Sequence, residues 1–297
     1  MFQTSVITDE ISQDLQIAIA LAERFGLDAV ELRSVYNKGP FELSVEEWRS
    51  INRQIKAAGL RVSAISAPFY KCDMNNAQEI AEHCAGLERC IAAAEILGTD
   101  KIRGFAFWKN GVLSECLNQI VALYQKPIAR LRASGMTLVM ESDPSVNTAN
   151  AAQLAEVLDA IDSPQIKALW DPGNNLYAAP IETPYPDGYR IIQRHMAHVH
   201  LKDAVLDAKG NAVGCRFGKG LVDFRGQLQA LAEDRYTGYV VMETHYRKAA
   251  ALSEEILKRP GGSAFSADGY EPTVECLESF QTMLRQLTQS RKVISIL

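Results

Sequence analysis

Four potential metal ligands stand at equivalent places along the chain, at the ends of short apolar runs that are rich in β-branched residues. They are Glu141, Asp171, His200 and Glu243. An unpaired charge at the end of a buried strand costs several kcal/mol to desolvate, so apolar or turn residues are expected there. One such acid alone is explained as a helix cap or a strand end. Four at equivalent positions predict a shared site instead.

The donor types of these residues indicate the kind of ion that would bind. Two glutamates, one aspartate and one histidine supply hard carboxylate oxygens and a single imidazole. This set suits Mn²⁺, Mg²⁺ or Co²⁺ better than the thiolate-rich sites that hold structural zinc. We predict one divalent ion, with Mn²⁺ as first choice and Mg²⁺, Co²⁺ or Zn²⁺ as alternatives.

Eight short apolar runs alternate with longer amphipathic segments. The runs are Phe2–Thr8, Ala29–Arg33, Arg61–Ala67, Lys101–Phe107, Thr137–Glu141, Ile166–Asp171, Ala197–Lys202 and Tyr239–Glu243. Strand–helix units pair in parallel through right-handed crossovers, which both an open doubly wound sheet and a closed barrel satisfy. The barrel is favoured because eight units fit about 250 residues plus loop insertions. We predict an α/β protein with a single (β/α)₈ TIM-barrel domain spanning residues 1–297.

Two segments are longer than a barrel connection needs. Asn174–Asp187 is rich in proline, and Arg247–Glu271 contains the pair Gly261-Gly262. Both follow strands that carry potential metal ligands. In a barrel such βα loops stand on the C-terminal face, where active sites lie. We expect both loops to wall or cover a substrate.

Composition narrows the choice of partners. The chain has 297 residues and a formal net charge of −5, which repels a polyphosphate backbone, so nucleic acid is not expected. No stretch approaches about 18 uninterrupted apolar residues, so no membrane span is expected.

Six cysteines form no CxxC pair and Met1–Gln13 lacks the features of an export signal, which favours reduced thiols in the cytoplasm. Outer helices of such barrels often mediate dimers, so the sequence is compatible with a homo-oligomer.

Several cations are candidates for substrate binding. Lys202 lies two residues beyond His200 and would point inward if the strand continues. Arg216 and Lys219 lie in the loop that follows. Each would hold a carboxylate, hydroxyl or phosphate of a substrate, or else is a solvated cation. Arg33 ends the second run, either as a substrate clamp or in a structural ion pair.

Histidines and aromatic residues form a second group of candidates. His198 shares a face with His200 one layer deeper, as a core residue or as a partner of the ligand. His245 follows Glu243 by two residues and would line the mouth of the site. Aromatic residues after the third and fourth runs would stack on a sugar or pack in the core; they are Phe69, Phe105, Phe107 and Trp108. No GxSxG elbow, Walker P-loop or HExxH pattern is present, which excludes those chemistries.

Taken in order, several short motifs resemble the xylose isomerase-like barrel superfamily and, within it, the sugar phosphate isomerase/epimerase branch. The resemblance covers nearly the whole chain. The matching motifs are Thr8-Asp9-Glu10, Glu31-Leu32-Arg33, Met140-Glu141-Ser142, Trp170-Asp171-Pro172-Gly173-Asn174, His198-Val199-His200-Leu201-Lys202-Asp203, Gly218-Lys219-Gly220 and Met242-Glu243.

This resemblance implies a (β/α)₈ barrel that binds one divalent cation through Glu141, Asp171, His200 and Glu243. In isomerases and epimerases of this group the two glutamates also move the substrate proton, which makes Glu141 and Glu243 candidate catalytic residues. A ketose or α-hydroxy carbonyl compound chelates the metal, and proton removal gives an enediolate. The implied activity is a divalent-metal-dependent isomerase or epimerase of a small sugar or sugar derivative.

One position departs from the pattern of many epimerases of this group. They carry a histidine three residues after the aspartate ligand, where it holds a substrate oxygen, and this chain has Asn174 there. Asparagine still donates a hydrogen bond but cannot act as a cationic electrophile. Related dehydratases act on inososes or dehydroshikimate on the same scaffold, so a metal-dependent lyase is the alternative.

Two further classes fit less well. Apurinic endonucleases share the barrel superfamily, but their trinuclear zinc site is rich in histidines, and this acidic chain has five. A non-catalytic sugar-binding barrel has no need of the four ligands together.

Overall fold

Parallel strands form the centre of the fold. The computed structural model describes residues 2–178, 181–249 and 251–294. The strands are β1 (Gln3–Val6), β2 (Ala29–Leu32), β3 (Arg61–Phe69), β4 (Lys101–Gly104), β5 (Thr137–Glu141), β6 (Ile166–Trp170), β7 (Met196–Leu201), β8 (Ala204–Leu206), β9 (Ala212–Gly214) and β10 (Tyr239–Met242). All eight predicted runs are strands. Strands β8 and β9 form a separate antiparallel hairpin that the sequence pattern did not predict.

The eight-stranded sheet curves into a nearly closed barrel. Its order is β1-β10-β7-β6-β5-β4-β3-β2, and every neighbouring pair is parallel. The two ends of the sheet, β1 and β2, meet at the parallel bridge between Ile7 and Glu31. The prediction of a single-domain (β/α)₈ TIM barrel is confirmed.

Helices follow the strands, and the longer ones cover the outside of the barrel. They are α1 (Leu15–Arg24), α2 (Val45–Ala57), α3 (Ala77–Leu97), α4 (Leu113–Ser134), α5 (Ala151–Ile161), α6 (Asn174–Tyr177), α7 (Tyr189–Ile192), α8 (Phe224–Glu233), α9 (Glu254–Lys258), α10 (Gly262–Ser266) and α11 (Tyr270–Ile294). No helix in the described part of the chain is long and apolar enough to cross a membrane.

Local sequence signals set the ends of these helices. Ser44 and Glu47 form a capping box at the start of α2, in which each side chain accepts the other residue's backbone N–H. Gly98 and Gly135 end α3 and α4 with positive φ angles of 73° and 71°, which glycine adopts without steric cost. The helices therefore stop where the strands must begin.

The two long loops contribute to different extents to a cavity at the barrel mouth. The segment 247–271 contains α9 and α10, and its residues from Leu257 to Gly262 line a cavity at the barrel mouth. Of the segment 174–187, Asn174 and Tyr177 line that cavity, while Glu182 bonds to the N–H of Ala151 on α5. Ala179, Pro180 and Ala250 belong to these loops but lie outside the described residues.

Candidate metal centre

The four predicted ligands meet at the C-terminal mouth of the barrel. Glu141 ends β5, Asp171 follows β6, His200 lies in β7 and Glu243 follows β10. One ligand atom from each lies within 4.8 Å of every other, and all four side chains are buried. Consecutive strands of the barrel carry them, because β5, β6, β7 and β10 are neighbours in the sheet. The structure therefore brings the predicted set together.

A tight turn aims the carboxylate of Asp171. Its Oδ1 atom accepts the N–H of Gly173 at 2.8 Å and that of Asn174 at 3.3 Å. A Cβ atom at position 173 would collide with the carbonyl oxygen of Lys202, so the turn requires glycine. Asp171 Oδ2 accepts no well-oriented hydrogen bond from the described residues and faces the ammonium of Lys202 at 2.7 Å. This oxygen remains available to a cation.

Buried Glu31 sets the orientation of His200. Its two oxygens lie 2.9 Å from His200 Nε2 and 2.6 Å from His198 Nε2. Burial raises the pKa of Glu31, but the two histidines outweigh it and hold that pKa well below its usual range. The ionised carboxylate accepts, so Nε2 of His200 carries the proton. Nδ1 then faces Glu243 Oε2 at 3.3 Å and Glu141 Oε1 at 3.6 Å, which is where a neutral imidazole would bind a cation.

A cation holds each glutamate of the cluster. Arg33 Nη1 donates to Glu243 Oε1 at 2.7 Å, and Arg103 Nη1 donates to Glu141 Oε2 at 3.1 Å. Lys202 Nζ also donates to Glu243, at 3.2 Å. The two arginines fix one oxygen of each glutamate and leave the other directed at the cluster. Sequence reasoning missed Arg103, although a charged residue inside the buried run Lys101–Phe107 was a signal.

The charges of the cluster leave Asp171 short of positive partners. Burial raises the pKa of Asp171 to about 7, and repulsion from Glu243 and Glu141 adds to it despite the nearby Lys202. Burial also raises the pKa of Glu141 and of Glu243, but neighbouring cations, Arg103 and Lys202 first among them, lower both below the usual range. A buried group of three carboxylates and one imidazole nitrogen fits a divalent cation, which would relieve this repulsion.

A cavity of about 1030 Å³ opens over the cluster. Several residues predicted for the site line it, namely Arg33, Glu141, Asn174, Lys202, Glu243 and His245. Phe105 and Trp108 line it as well, whereas Phe69 and Phe107 stack on either side of Tyr70 in the core. The cavity thus gives a small molecule access to the predicted ligands.

The remaining predicted residues, Asn174, His198 and His245, make hydrogen bonds or packing contacts with other groups of the protein. The amide of Asn174 donates to Glu141 Oε1 at 3.2 Å and to the carbonyl of Ser142 at 2.8 Å. His198 is fully buried beneath His200. Nδ1 of His245 lies 2.8 Å from Glu10, and its ring packs on Phe265.

Arg33 belongs to an ion-pair network rather than to an open clamp. Besides Glu243, its guanidinium contacts Asp9 and Glu10 at 2.9 Å each. Every nitrogen of the guanidinium therefore has a carboxylate partner. Of the two readings of Arg33 from sequence, the structural ion pair is the one that the contacts favour.

The structure does not bring Arg216 or Lys219 to the cavity. The carboxylate of Asp203 accepts the N–H groups of Gly218 and Gly220 at 2.9 Å each, which folds their loop back beside β8. Arg216 donates to Ser279 on α11 at 2.8 Å, and neither Arg216 nor Lys219 is among the residues that line the cavity. The contacts give no reason to keep these two residues as substrate ligands.

Fold and site together define a (β/α)₈ barrel with a buried carboxylate–imidazole cluster at the C-terminal ends of its strands. The sequence model of the xylose isomerase-like TIM barrel family matches residues 19–279, and the chain belongs to this family. No curated protein matches the chain.

Solved structures with the same fold share little sequence with this chain. An L-ribulose 3-epimerase has a TM-score of 0.72 at 18% identity, covering 99% of this chain and 98% of its own. A D-allulose 3-epimerase from Methylomonas sp., in complex with D-allulose, has a TM-score of 0.71 at 17% identity, with coverages of 95% and 97%. A probable 3-DHS dehydratase from Bacillus anthracis has a TM-score of 0.68 at 17% identity, with coverages of 86% and 96%. At these identities the likeness establishes the fold.

Proposed function

We propose that this protein is a divalent-metal-dependent isomerase or epimerase of a small sugar or sugar derivative. The observation that carries the proposal is the buried cluster of Glu141, Asp171, His200 and Glu243 at the floor of an open cavity. We infer Mn²⁺ or Mg²⁺ as the ion, because carboxylates dominate the donor set. The two epimerases with the same fold support the choice of a sugar substrate.

The two glutamates are the proposed bases. A divalent ion at this site would polarise a substrate carbonyl and make the neighbouring C–H more acidic. Glu141 and Glu243 approach the cluster from β5 and β10, and the lowered pKa of each keeps it ionised at neutral pH. One glutamate removes the proton beside the carbonyl, and the same or the other glutamate returns a proton to carbon.

Neighbouring side chains would orient the glutamates and the substrate. Arg103 and Arg33 each hold one glutamate oxygen, so the second oxygen of each carboxylate faces the cluster, where it would accept the substrate proton. Lys202 and His245 line the cavity beside Glu243 and are the proposed donors to substrate hydroxyl groups. Asn174 fixes Glu141 from the other side.

A dehydratase is the second candidate, and the position of Lys202 favours it. The buried ammonium of Lys202 lies between Asp171 and Glu243, where it would donate a hydrogen bond to a departing hydroxyl group, and the glutamate that has taken the substrate proton would supply the proton with which this group leaves as water. The fold likeness to a probable dehydratase is in keeping with this alternative. Loss of water, rather than proton movement alone, separates the two reactions.

The test is a panel of ketoses, inososes and hydroxy-keto acids incubated with the Mn²⁺-loaded protein in D₂O and followed by proton NMR. Deuterium uptake without loss of water supports the isomerase, and loss of water supports the dehydratase. We expect Glu141→Gln and Glu243→Gln to lower deuterium exchange by about 10²-fold or more, because each keeps the shape and removes the base.

The matched control is Glu156→Gln, which makes the same change at an exposed position on α5. It should exchange like the wild type. Near-normal exchange in both cluster variants would contradict the assignment of the bases. Absence of Mn²⁺ binding by the wild-type protein would contradict the proposed function itself.

A further inference from the structure

The cavity extends well beyond the cluster of ligands. Its volume of about 1030 Å³ lies at the upper end of the range of roughly 300–1,000 Å³ that is usual for small-molecule sites. Its lining runs from Glu141 and Glu243 at the floor to Trp108, Lys258 and Arg259 at the rim. A free monosaccharide would leave much of this space unfilled.

Cations converge on a single aromatic ring at this rim. The half-buried indole of Trp108 has Lys258 Nζ at 5.0 Å and Arg259 Cζ at 5.6 Å from its centroid. Lys71 Nζ lies 5.6 Å from the same centroid. Lys109 is the next residue along the chain and also lines the cavity. Several positive charges gathered around one ring favour the binding of an anion beside it.

One of these cations has a counter-ion within the protein. Lys71 lies 2.7 Å from Asp143, which also accepts the N–H of Ser145. Within the described ranges 2–178, 181–249 and 251–294, no carboxylate lies within ion-pair distance of Lys109, Lys258 or Arg259. These three cations are free to bind an anion from solution.

The acidic side chains of the same lining do not fill that role. Glu42 accepts the backbone N–H of Gly39 at 2.7 Å, and Glu79 accepts that of Asp73 at 3.0 Å. Both carboxylates therefore serve local turns. Glu254 lies in the first turn of α9, whereas Lys258 is its last residue and Arg259 follows it.

We propose that the substrate carries an anionic group, a phosphate or a carboxylate, on the end remote from its reacting carbons, and that Lys258 and Arg259 bind it beside Trp108. This inference rests on the proposed function, because the cluster of Glu141, Asp171, His200 and Glu243 defines the reacting end. Lysine and arginine both donate charge-assisted hydrogen bonds to such groups, and the ring of Trp108 shields one side of the site from water.

The experiment measures anion binding to the Mg²⁺-loaded protein by calorimetric titration, with inorganic phosphate in one arm and acetate in the other. The test variant is K258Q/R259Q. Its matched control is K209Q/K219Q, which removes the same charge from exposed residues that do not line the cavity. We expect the test variant to bind phosphate or acetate at least about tenfold more weakly than the wild type, and the control to bind unchanged.

Two results would overturn the inference. One is the absence of saturable binding of both anions to the wild type. The other is equal binding by the wild type and K258Q/R259Q, which would place the anion on the bound ion or elsewhere. Mg²⁺ titration of the same three proteins reports separately on the proposed function, so normal Mg²⁺ binding with either result rejects the anion site alone. The arm that responds identifies phosphate or carboxylate as the group.

Discussion

At the scale of single residues, Glu31 determines which nitrogen of His200 faces the carboxylates. The carboxylate accepts from both His198 and His200, so neither ring is free to turn. Partners of this kind make a ligating histidine more basic and fix its orientation. Arg33, two residues further along the chain, contacts a different set of side chains, namely Asp9, Glu10 and Glu243.

We predict that Glu31→Gln weakens Mn²⁺ binding by about 10–100-fold, the usual cost of losing such a partner. A glutamine has one accepting oxygen, so one of the two histidines would lose its acceptor. Calorimetric titration with Mn²⁺ measures the effect, and circular dichroism checks that the barrel has folded. Glu156→Gln is the control. Wild-type affinity in Glu31→Gln would show that His200 needs no such partner.

At the scale of elements, the short helix α10 fastens the long loop onto the barrel mouth. The ring of Phe265 is fully buried, with the guanidinium of Arg33 at 4.4 Å and that of Arg247 at 5.2 Å from its centroid. Ser266 Oγ donates to the carbonyl of Asp9 at 2.7 Å. The ring of Phe265 therefore anchors the loop together with these polar contacts, and the same ring packs on the arginine that holds Glu243.

We predict that Phe265→Ala speeds tryptic cleavage after exposed Lys258 while leaving the barrel folded. The truncated side chain leaves a cavity under α10, so the segment opens more often. Gel or mass-spectrometric mapping of limited digests measures the rate. Leu206→Ala, at a side chain that is 40% exposed on the hairpin, is the control and should digest like the wild type. Equal cleavage in both variants would mean that Phe265 does not anchor the loop.

At the scale of the whole molecule, side chains complete the closure of a barrel whose first two strands share a single backbone bridge. Strands β1 and β2 share one bridge, whereas their side chains and turns are joined by the contacts of Arg33 with Asp9 and Glu10. Glu10 also accepts the N–H of His245 at 3.1 Å, which connects the first turn to the end of β10. The buried carboxylate of Glu10 thus joins the first, second and last strands of the barrel.

We predict that Glu10 makes the fold sensitive to acid. Burial raises the pKa of Glu10, but His245, Arg33 and Arg247 outweigh it and lower the pKa from 4.5 to about 2. A folded-state pKa below the unfolded value means that ionised Glu10 stabilises the fold above pH 4.5, and that this contribution disappears as the pH falls towards 2. Glu10→Gln should therefore be less stable than the wild type near neutral pH, with a difference that shrinks over that interval.

Denaturant unfolding at a series of pH values measures this difference in the free energy of unfolding. Glu46→Gln is the control, because Glu46 is exposed on α2 and its one ion pair spans 3.7 Å. Its difference from the wild type should stay small at every pH. If the difference in the free energy of unfolding between Glu10→Gln and the wild type were the same at every pH, the charge of Glu10 would not be the cause of the stabilisation.

Local pattern was enough to predict the strands and the positions of the four clustered side chains. Each strand is a short β-branched run, and each clustered side chain belongs to a polar residue at or near the end of one, so both signals lie within a few neighbouring residues. The first residue of a helix is harder to predict from local pattern, because it depends on a single capping residue or on burial in the folded protein. Asn76 caps α3, which begins at Ala77, and α4 begins at Leu113, which is buried together with Cys116 and Ile120.

The sequence by itself determined the order of strands and helices and the identity of the four clustered side chains. Only the tertiary structure decided their partners, such as Glu31 beneath His200 and Arg103 beside Glu141. Glu31 and His200 are 169 residues apart, and a contact between distant strands across a barrel interior leaves no periodic signal in the sequence. The same holds for Arg216 and Lys219, which Asp203 turns away from the cavity through backbone hydrogen bonds that the sequence pattern does not reveal.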